Sequence, residues 1–429
     1  MSATHHPAGY GPLTHYMRPG TLFLDALPPL SIYVHLPWCV RKCPYCDFNS
    51  HQVGAGPGRP VQWAGAAPNA PTGSSVLLPV DLENRYLAAL MADLHAVLPL
   101  IWGRSVQTVF IGGGTPSLFS PQAMGRLISD LRSLLPLVPD CEITMEANPG
   151  TFEKHRFKAF RDAGVNRLSI GVQSFNDLHL QALGRVHDRA QSLAAVEEAA
   201  QHFDAFNIDL MYALPGQTLA QLDADLAQAL AFSPPHVSAY HLTIEANTFF
   251  AKHPPPLPDD DLAYAMLDQI VEQTAKCGLE RYEVSAFAKA GRRCAHNLNY
   301  WQFGDYVGIG AGAHGKLTFP HRVMRHTKVR DPQLYMKRAL ETGDGALAQE
   351  VQVPREDLAF EWMLGALRLL DGVPASWFQE RTGLTVSTIA KQCDLARVKG
   401  FLASDPSMLR ATPLGMDFLN DLQSLFLPN

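Results

Sequence analysis

The sequence predicts an α/β chain: a full or partial (β/α) barrel with six parallel strands, followed by a small, mainly helical, winged-helix-like C-terminal domain. Three observations predict it. Short apolar runs recur at residues 31–36, 108–111, 142–146, 167–171, 206–211 and 237–242. Segments with helical spacing fall between them at 121–135, 151–163, 189–202 and 219–232, so the repeat has the length of a βα unit. After Pro254 the repeat fades, and helical stretches follow at 356–370, 375–382, 387–399 and 414–425. An open doubly wound sheet shares this periodicity and stays the alternative.

Each segment has its own signal. Residues 1–30 are rich in His, Pro and Gly without a period and read as a flexible leader. Residues 31–253 form the barrel. They are interrupted at 53–79, where fifteen of 27 residues are Gly, Pro or Ala and Arg59 is the one charge, so the segment reads as an insertion without a core. An amphipathic helix is expected over 81–99. Residues 254–340 read as a connecting extension, and 341–429 as the helical domain. The stretch 386–399 holds few basic residues, which favours packing or a partner protein over DNA.

Composition narrows the function. The 429 residues carry 35 basic and 41 acidic side chains, a formal charge of −6, which gives no dominant field for nucleic acid. No run approaches the ~18 apolar residues of a membrane span, and peripheral association stays open. No apolar signal segment is visible near residue 1, so the expected compartment is the cytoplasm. Seven cysteines are too few and too uneven for a disulfide framework.

Three of them crowd together as Cys39, Cys43 and Cys46, a C-x3-C-x2-C spacing just after the first apolar run. Three thiolates on one loop can hold three irons of a [4Fe–4S] cube and leave the fourth open to a chelating amine and carboxylate. A zinc site would need a fourth ligand, for which His35 or His51 is available. Gly112-Gly113-Gly114-Thr115 follows the second run, and glycines there let backbone approach a ligand. Glu146, Gln173 and Asp209 hold corresponding positions at the ends of later runs. A carboxylate at Glu146 can take ribose hydroxyls or a cationic amine, or can be a helix N-terminal charge. Arg185 can fork onto a carboxylate or be a surface arginine.

The cysteine spacing, with Tyr45 before the last cysteine, resembles the radical S-adenosylmethionine (SAM) superfamily. That resemblance implies a cluster that binds SAM by its methionyl amine and carboxylate and can pass one electron to it, giving a 5′-deoxyadenosyl radical. Residues 33–39, 112–116, 171–174, 184–187 and 207–215 together resemble the oxygen-independent coproporphyrinogen III oxidase family. By position, the resemblance puts Tyr33, Phe48, Gly113, Gly114, Thr115, Glu146, Gln173, Arg185 and Asp209 around SAM. One position departs from the oxidases, which carry a fourth cysteine where this chain has Phe48. A phenyl ring cannot act as ligand, nucleophile or hydrogen donor in its place. The change is similar to the HemW-type heme-chaperone branch and implies loss of the oxidase activity.

The segment His296-Asn-Leu-Asn-Tyr300-Trp301 is similar to that branch's H-N-x-x-Y-W signature. Imidazole is a common heme ligand, and Tyr and Trp offer flat apolar area. By itself the pattern also suits a satisfied core. Cys294 and His314 compete as ligands, and Arg292 and Arg293 could meet propionates or lie on a solvated surface. The resemblance implies a heme chaperone with a [4Fe–4S] cluster, SAM and heme, which hands heme to acceptor hemoproteins such as respiratory-chain enzymes. The alternative is a coproporphyrinogen III dehydrogenase that decarboxylates two propionates.

Overall fold

The structure, a computed structural model, describes residues 9–53, 78–149 and 156–428. All six apolar runs are strands: β1 (Leu30–Leu36), β2 (Val106–Gly113), β3 (Leu137–Ala147), β4 (Arg167–Gln173), β5 (Phe206–Tyr212) and β6 (His236–His241). They pair in chain order, each parallel to the next. Parallel neighbours need crossovers, and helices supply them. The helices start where the sequence offers caps. Ser120 accepts from Ala123 N before Pro121, and Asp188–Gln191 and Thr218–Gln221 form reciprocal capping boxes.

The sheet continues beyond the six. Strands β7 (Glu280–Arg281) and β8 (Ala286–Ala288) cover the β6 edge antiparallel. Strand β9 (Asp305–Ile309) adds a seventh parallel strand beside β1. A meander of β10 (His314–Phe319), β11 (Arg322–Lys328) and β12 (Leu347–Gln352) then extends it. The twelve-stranded order β12-β11-β10-β9-β1-β2-β3-β4-β5-β6-β8-β7 does not close on itself, so the barrel is partial.

Three boundaries differ from the sequence reading. The expected leader packs from residue 9 onward. Tyr16 is fully buried, stacks on Phe319 and donates to Glu350 at 2.7 Å, while Leu22 and Leu24 enter the C-terminal core. Its periodicity was hidden because the buried residues are isolated anchors. The helical domain starts later than 341, since β12 still belongs to the sheet. The helix Asp260–Lys276 was invisible behind a Pro-rich run and three aspartates, one of which, Asp259, is its N-cap. Residues 54–77 of the expected insertion and 150–155 of an expected helix lie outside the described residues.

The C-terminal domain has its own core around Trp362, Phe378, Leu384 and Leu409. Helices Leu358–Ala366, Ser376–Thr382 and Ala390–Val398 surround it, with a short antiparallel pair, Val373–Pro374 and Met408–Leu409. Among the described residues no helix is long and apolar enough to cross a membrane.

A buried ion pair ties the open edge together. Lys328 on β11 donates to Asp93 in helix Val80–Ile101, to Tyr10 Oη at 2.8 Å and to Gly345 O at 2.9 Å. Tyr335 Oη and Gly310 N complete the carboxylate at 2.8 and 3.2 Å. Removing one partner strands a buried charge. Asp93→Ala is expected to cost about 3–5 kcal/mol in urea unfolding, and Asp93→Ala with Lys328→Met to recover much of that loss.

Candidate functional site

The three cysteines follow β1. Trp38–Cys39 pairs parallel with His51–Gln52, which closes the loop between them at its base. Gly114 N donates to Leu36 O at 2.8 Å and Thr115 N to Trp38 O at 2.7 Å, locking the stem to the end of β2. Asn49 Nδ2 reaches Ala311 O and Arg330 O at 2.9 and 2.8 Å, which fixes the far side. Cys39, Cys43 and Cys46 are free, partly exposed thiols on one wall of a cavity of about 900 Å³. Burial pushes Cys39 up to about 12 and raises Cys46 as well, so both thiols keep their protons until a cation takes their place.

The two histidines available to complete a zinc site have other partners. Burial takes His35 down to about 4, so the ring is neutral; Nε2 donates to Asn49 O at 2.9 Å and Nδ1 faces Tyr33 Oη at 2.9 Å. His51 Nε2 is 3.3 Å from Asn49 Oδ1. Among the described residues no three His, Cys, Asp or Glu side chains converge as ligands of a single ion.

The ends of β2 to β5 supply the remaining wall. Glu146 accepts from Gly113 N at 3.0 Å. Burial and then the nearby Asp209 push its carboxyl from 4.5 up to about 7. The glycines serve the protein before any ligand. A Cβ on Gly112 would stand 2.9 Å from the Glu146 carboxylate, on Gly113 2.6 Å from the His35 ring, and on Gly114 2.4 Å from Trp38 O. Thr115 Oγ1 accepts from Asn148 at 3.0 Å. Gln173 has φ +69°, at a register shift in β4 that turns its side chain into the cavity. Arg185 donates to Asn148 and to Gly171 O, and its Nη1 is 3.6 Å from Cys43 Sγ. Asp209 accepts from Asn207 and Ser169 at 2.7 and 2.9 Å. Phe48 lies at the same cavity, 59% exposed. Tyr33 is the exception: its hydroxyl faces His35, its ring lies against Phe110, and it does not line the cavity.

The H-N-x-x-Y-W segment is split. Helix Ala295–Trp301 is capped by Glu142, which accepts from Ala295 N and His296 N at 3.1 and 3.0 Å. His296 is buried on the barrel side, with Nδ1 2.8 Å from Thr108 Oγ1 and its ring 5.0 Å from that of Phe110. Burial and then Arg167 lower it to about 3, so it is neutral. Thr108 already donates to Ser31, so Nδ1 donates and Nε2 keeps its lone pair. Tyr300 and Trp301 instead line a second cavity of about 580 Å³ against the C-terminal domain. Of the competing ligands, Cys294 lies 3.5 Å from Glu142 and burial raises it to about 12, while His314 is exposed at the start of β10. Arg293 pairs with Asp371 at 2.6 Å, and Arg292 is exposed.

Residues 33–229 match the Radical SAM superfamily, and residues 353–418 match the HemN C-terminal domain. The heme chaperone HemW of Escherichia coli is 45% identical over 404 residues, which covers 94% of this chain and 99% of that protein. Its Haemophilus influenzae counterpart is 43% identical over 406 residues, with the same coverage. The chain belongs to the HemW family. The solved coproporphyrinogen III oxidase (HemN) of Escherichia coli shares the fold, with a TM-score of 0.75 over 93% of this chain and 90% of that one at 23% identity.

As radical SAM proteins, HemW-family members are implied to use a [4Fe–4S] cluster and SAM, and the donor set suits such a group. The loop offers three free thiols with no fourth cysteine, beside a cationic arginine. Sequence reasoning missed Asn148, which joins Thr115 to Arg185. The signal was its place two residues after Glu146. It also missed Arg167, Ser169, Asn207, His236 and Ser238, which line the cavity below the strand ends. Their signal was polar residues at every second position of otherwise apolar strands.

Glu146 yields a pH test. Its folded pKa lies above its unfolded one, so its stabilising contribution is whole below about 4.5 and is lost as pH rises through about 7. Between pH 5 and pH 8, wild type should lose unfolding free energy relative to Glu146→Gln. Parallel slopes in urea titrations at both pH values would contradict the assignment.

Proposed function

We propose that this chain is a heme chaperone that carries a [4Fe–4S] cluster on Cys39, Cys43 and Cys46, binds SAM at the strand ends, and delivers heme to acceptor hemoproteins such as respiratory-chain enzymes. The observation that carries this reading is Phe48. It stands at the cavity two residues after Cys46, where an oxidase would need a fourth thiol.

The chain's own groups divide the work. The three thiols give up their protons and hold the cluster, which when bound supplies an iron open to a chelating ligand and a single-electron carrier. Arg185 keeps positive charge against Cys43 and fixes Asn148. Glu146, with its carboxyl raised to about 7, accepts a hydrogen bond from a ribose hydroxyl or, as the carboxylate, pairs with a cationic amine. Gly113, Gly114 and Thr115 hold the backbone edge in place, and Gln173 and Asp209 add polar contacts. Tyr33 acts by orienting His35. For heme, His296 is the motif residue on the barrel side with a lone pair available. Tyr300 and Trp301 support the joint with the C-terminal domain.

Anaerobically reconstituted protein is expected to bind hemin near stoichiometrically and to pass it to an apo-hemoprotein, followed by absorbance. Turnover of coproporphyrinogen III to protoporphyrinogen IX with SAM and a reductant would overturn the chaperone reading. Cys43→Ser should abolish the broad iron–sulfur absorbance. His296→Ala should weaken hemin binding, and an unchanged spectrum would move the ligand elsewhere.

A further inference from the structure

The inner face of the barrel carries a cation that nothing in the site above uses. Along β4 the residues that line the main cavity are Arg167, Ser169, Gly171 and Gln173, alternate positions of one strand. Gln173 ends the strand beside the cysteine loop. Arg167 begins it, six residues and about 20 Å of strand away. Its side chain is 6% exposed, yet its guanidinium donates no hydrogen bond to any described residue. The nearest carboxylate, Glu142, is 3.9 Å away.

Neighbouring acids do not complete it. Glu142 is drawn to the start of helix Ala295–Trp301, with Oε1 accepting from His296 N and Cys294 Sγ and Oε2 from Ala295 N. Both Asp209 oxygens are taken by Ser169 and Asn207. Asn207 is in turn saturated, with Oδ1 2.7 Å from His236 Nδ1 and 3.1 Å from Ser238 Oγ. A nearly buried guanidinium whose ion-pair partner stands 3.9 Å away and which makes no hydrogen bond to the described residues has donors to spare for a ligand. Asn297 lines the same cavity from the adjoining helix and adds an amide.

We propose that Arg167, with Asn297, forms a carboxylate-binding floor to the main cavity and takes a propionate of the heme cargo. The inference rests on the heme-chaperone reading and goes beyond it by naming what recognises the cargo's acid groups. A planar guanidinium matches a carboxylate in a two-point fork. The depth of Arg167 below the strand ends suits an acid carried on an arm from a broad body, and not one chelated at the cysteines. The second cavity has no comparable group. Its Arg325 is paired to Glu361 at 2.5 Å and its Lys316 to Asp305 at 2.8 Å.

The test is an absorbance titration of the reconstituted full chain with hemin and with hemin dimethyl ester, whose propionates are blocked. Wild type, Arg167→Gln, Arg167→Lys and Asn297→Ala would be compared, with SAM binding measured on each. Wild type should prefer hemin to the ester by about 10- to 100-fold, the range for losing hydrogen bonds to a charged group. Arg167→Gln should erase that preference by weakening hemin alone. Arg167→Lys should fall between, since it keeps the charge and loses the fork. SAM binding should not change. Wild-type discrimination retained in Arg167→Gln would overturn the proposal, as would equal binding of hemin and ester by wild type. Loss of SAM binding in its place would assign the floor to the methionyl carboxylate and also overturn it. Weakening of hemin by Trp301→Ala but not by Arg167→Gln would put the cargo in the second cavity. These failures leave the chaperone reading standing; wild type that takes up neither hemin nor ester defeats both. A melting curve for each variant separates lost binding from lost fold, and Arg167→Lys keeps the question answerable if Arg167→Gln does not fold.

Discussion

Two backbone hydrogen bonds, Gly114 N to Leu36 O and Thr115 N to Trp38 O, set the conditions for everything at the barrel mouth. The cysteine loop has little apolar mass of its own. It cannot hold three thiols in place by packing, so its stem is made an extra rung on the sheet. That docking needs main chain against main chain, which is why a side chain at Gly114 has no room. The same close approach brings Glu146 and His35 under the turn, and Arg185 then closes the site through Asn148. The glycines read as ligand-side backbone from the sequence serve first as the seat for the cysteine loop.

The second constraint is the inside of the barrel. Parallel strands covered on both faces are usually apolar throughout. Here β4, β5 and β6 put Ser169, Asn207, Asp209, His236 and Ser238 inward, and they satisfy one another. Such a network is stable when every lone pair is used, and it leaves the floor rigid and polar. At its base Arg167 keeps a guanidinium that makes no hydrogen bond to the described residues. The geometry therefore offers two chemically distinct ends: thiols and a titratable carboxyl at the mouth, and a guanidinium at the floor.

Much of this was legible. Six strands were visible because a buried parallel strand is a compact apolar run, and the helices between them carry caps that the sequence displays. The cysteine spacing and the strand-end residues were readable because the βα repeat fixes where a strand ends. Three things were not readable. β9 is short, and its partner β1 is 275 residues earlier in the register, so no local signal marks it. The separation of His296 from Tyr300 and Trp301 runs along a seven-residue helix, whose start packs on β2 and β3 and whose end meets the C-terminal domain, and the bare motif does not state that. The N-terminal segment looked unstructured because its anchors, Tyr16, Leu22 and Leu24, bury themselves in surfaces built by residues far along the chain.

That last feature has a bearing on timing. Tyr16 meets Glu350, Leu24 N meets Pro320 O, and Leu22 joins a core drawn mainly from residues beyond 350. Residues 16–24 thus have their partners some 300 residues further along the chain. Their docking waits on the last strands of the sheet for Tyr16 and on the C-terminal domain for Leu22 and Leu24, because these contacts span about 300 residues or more. A chain truncated after β12 would keep every residue of the mouth and the floor and the partners of Tyr16, and would lack the core that Leu22 and Leu24 enter.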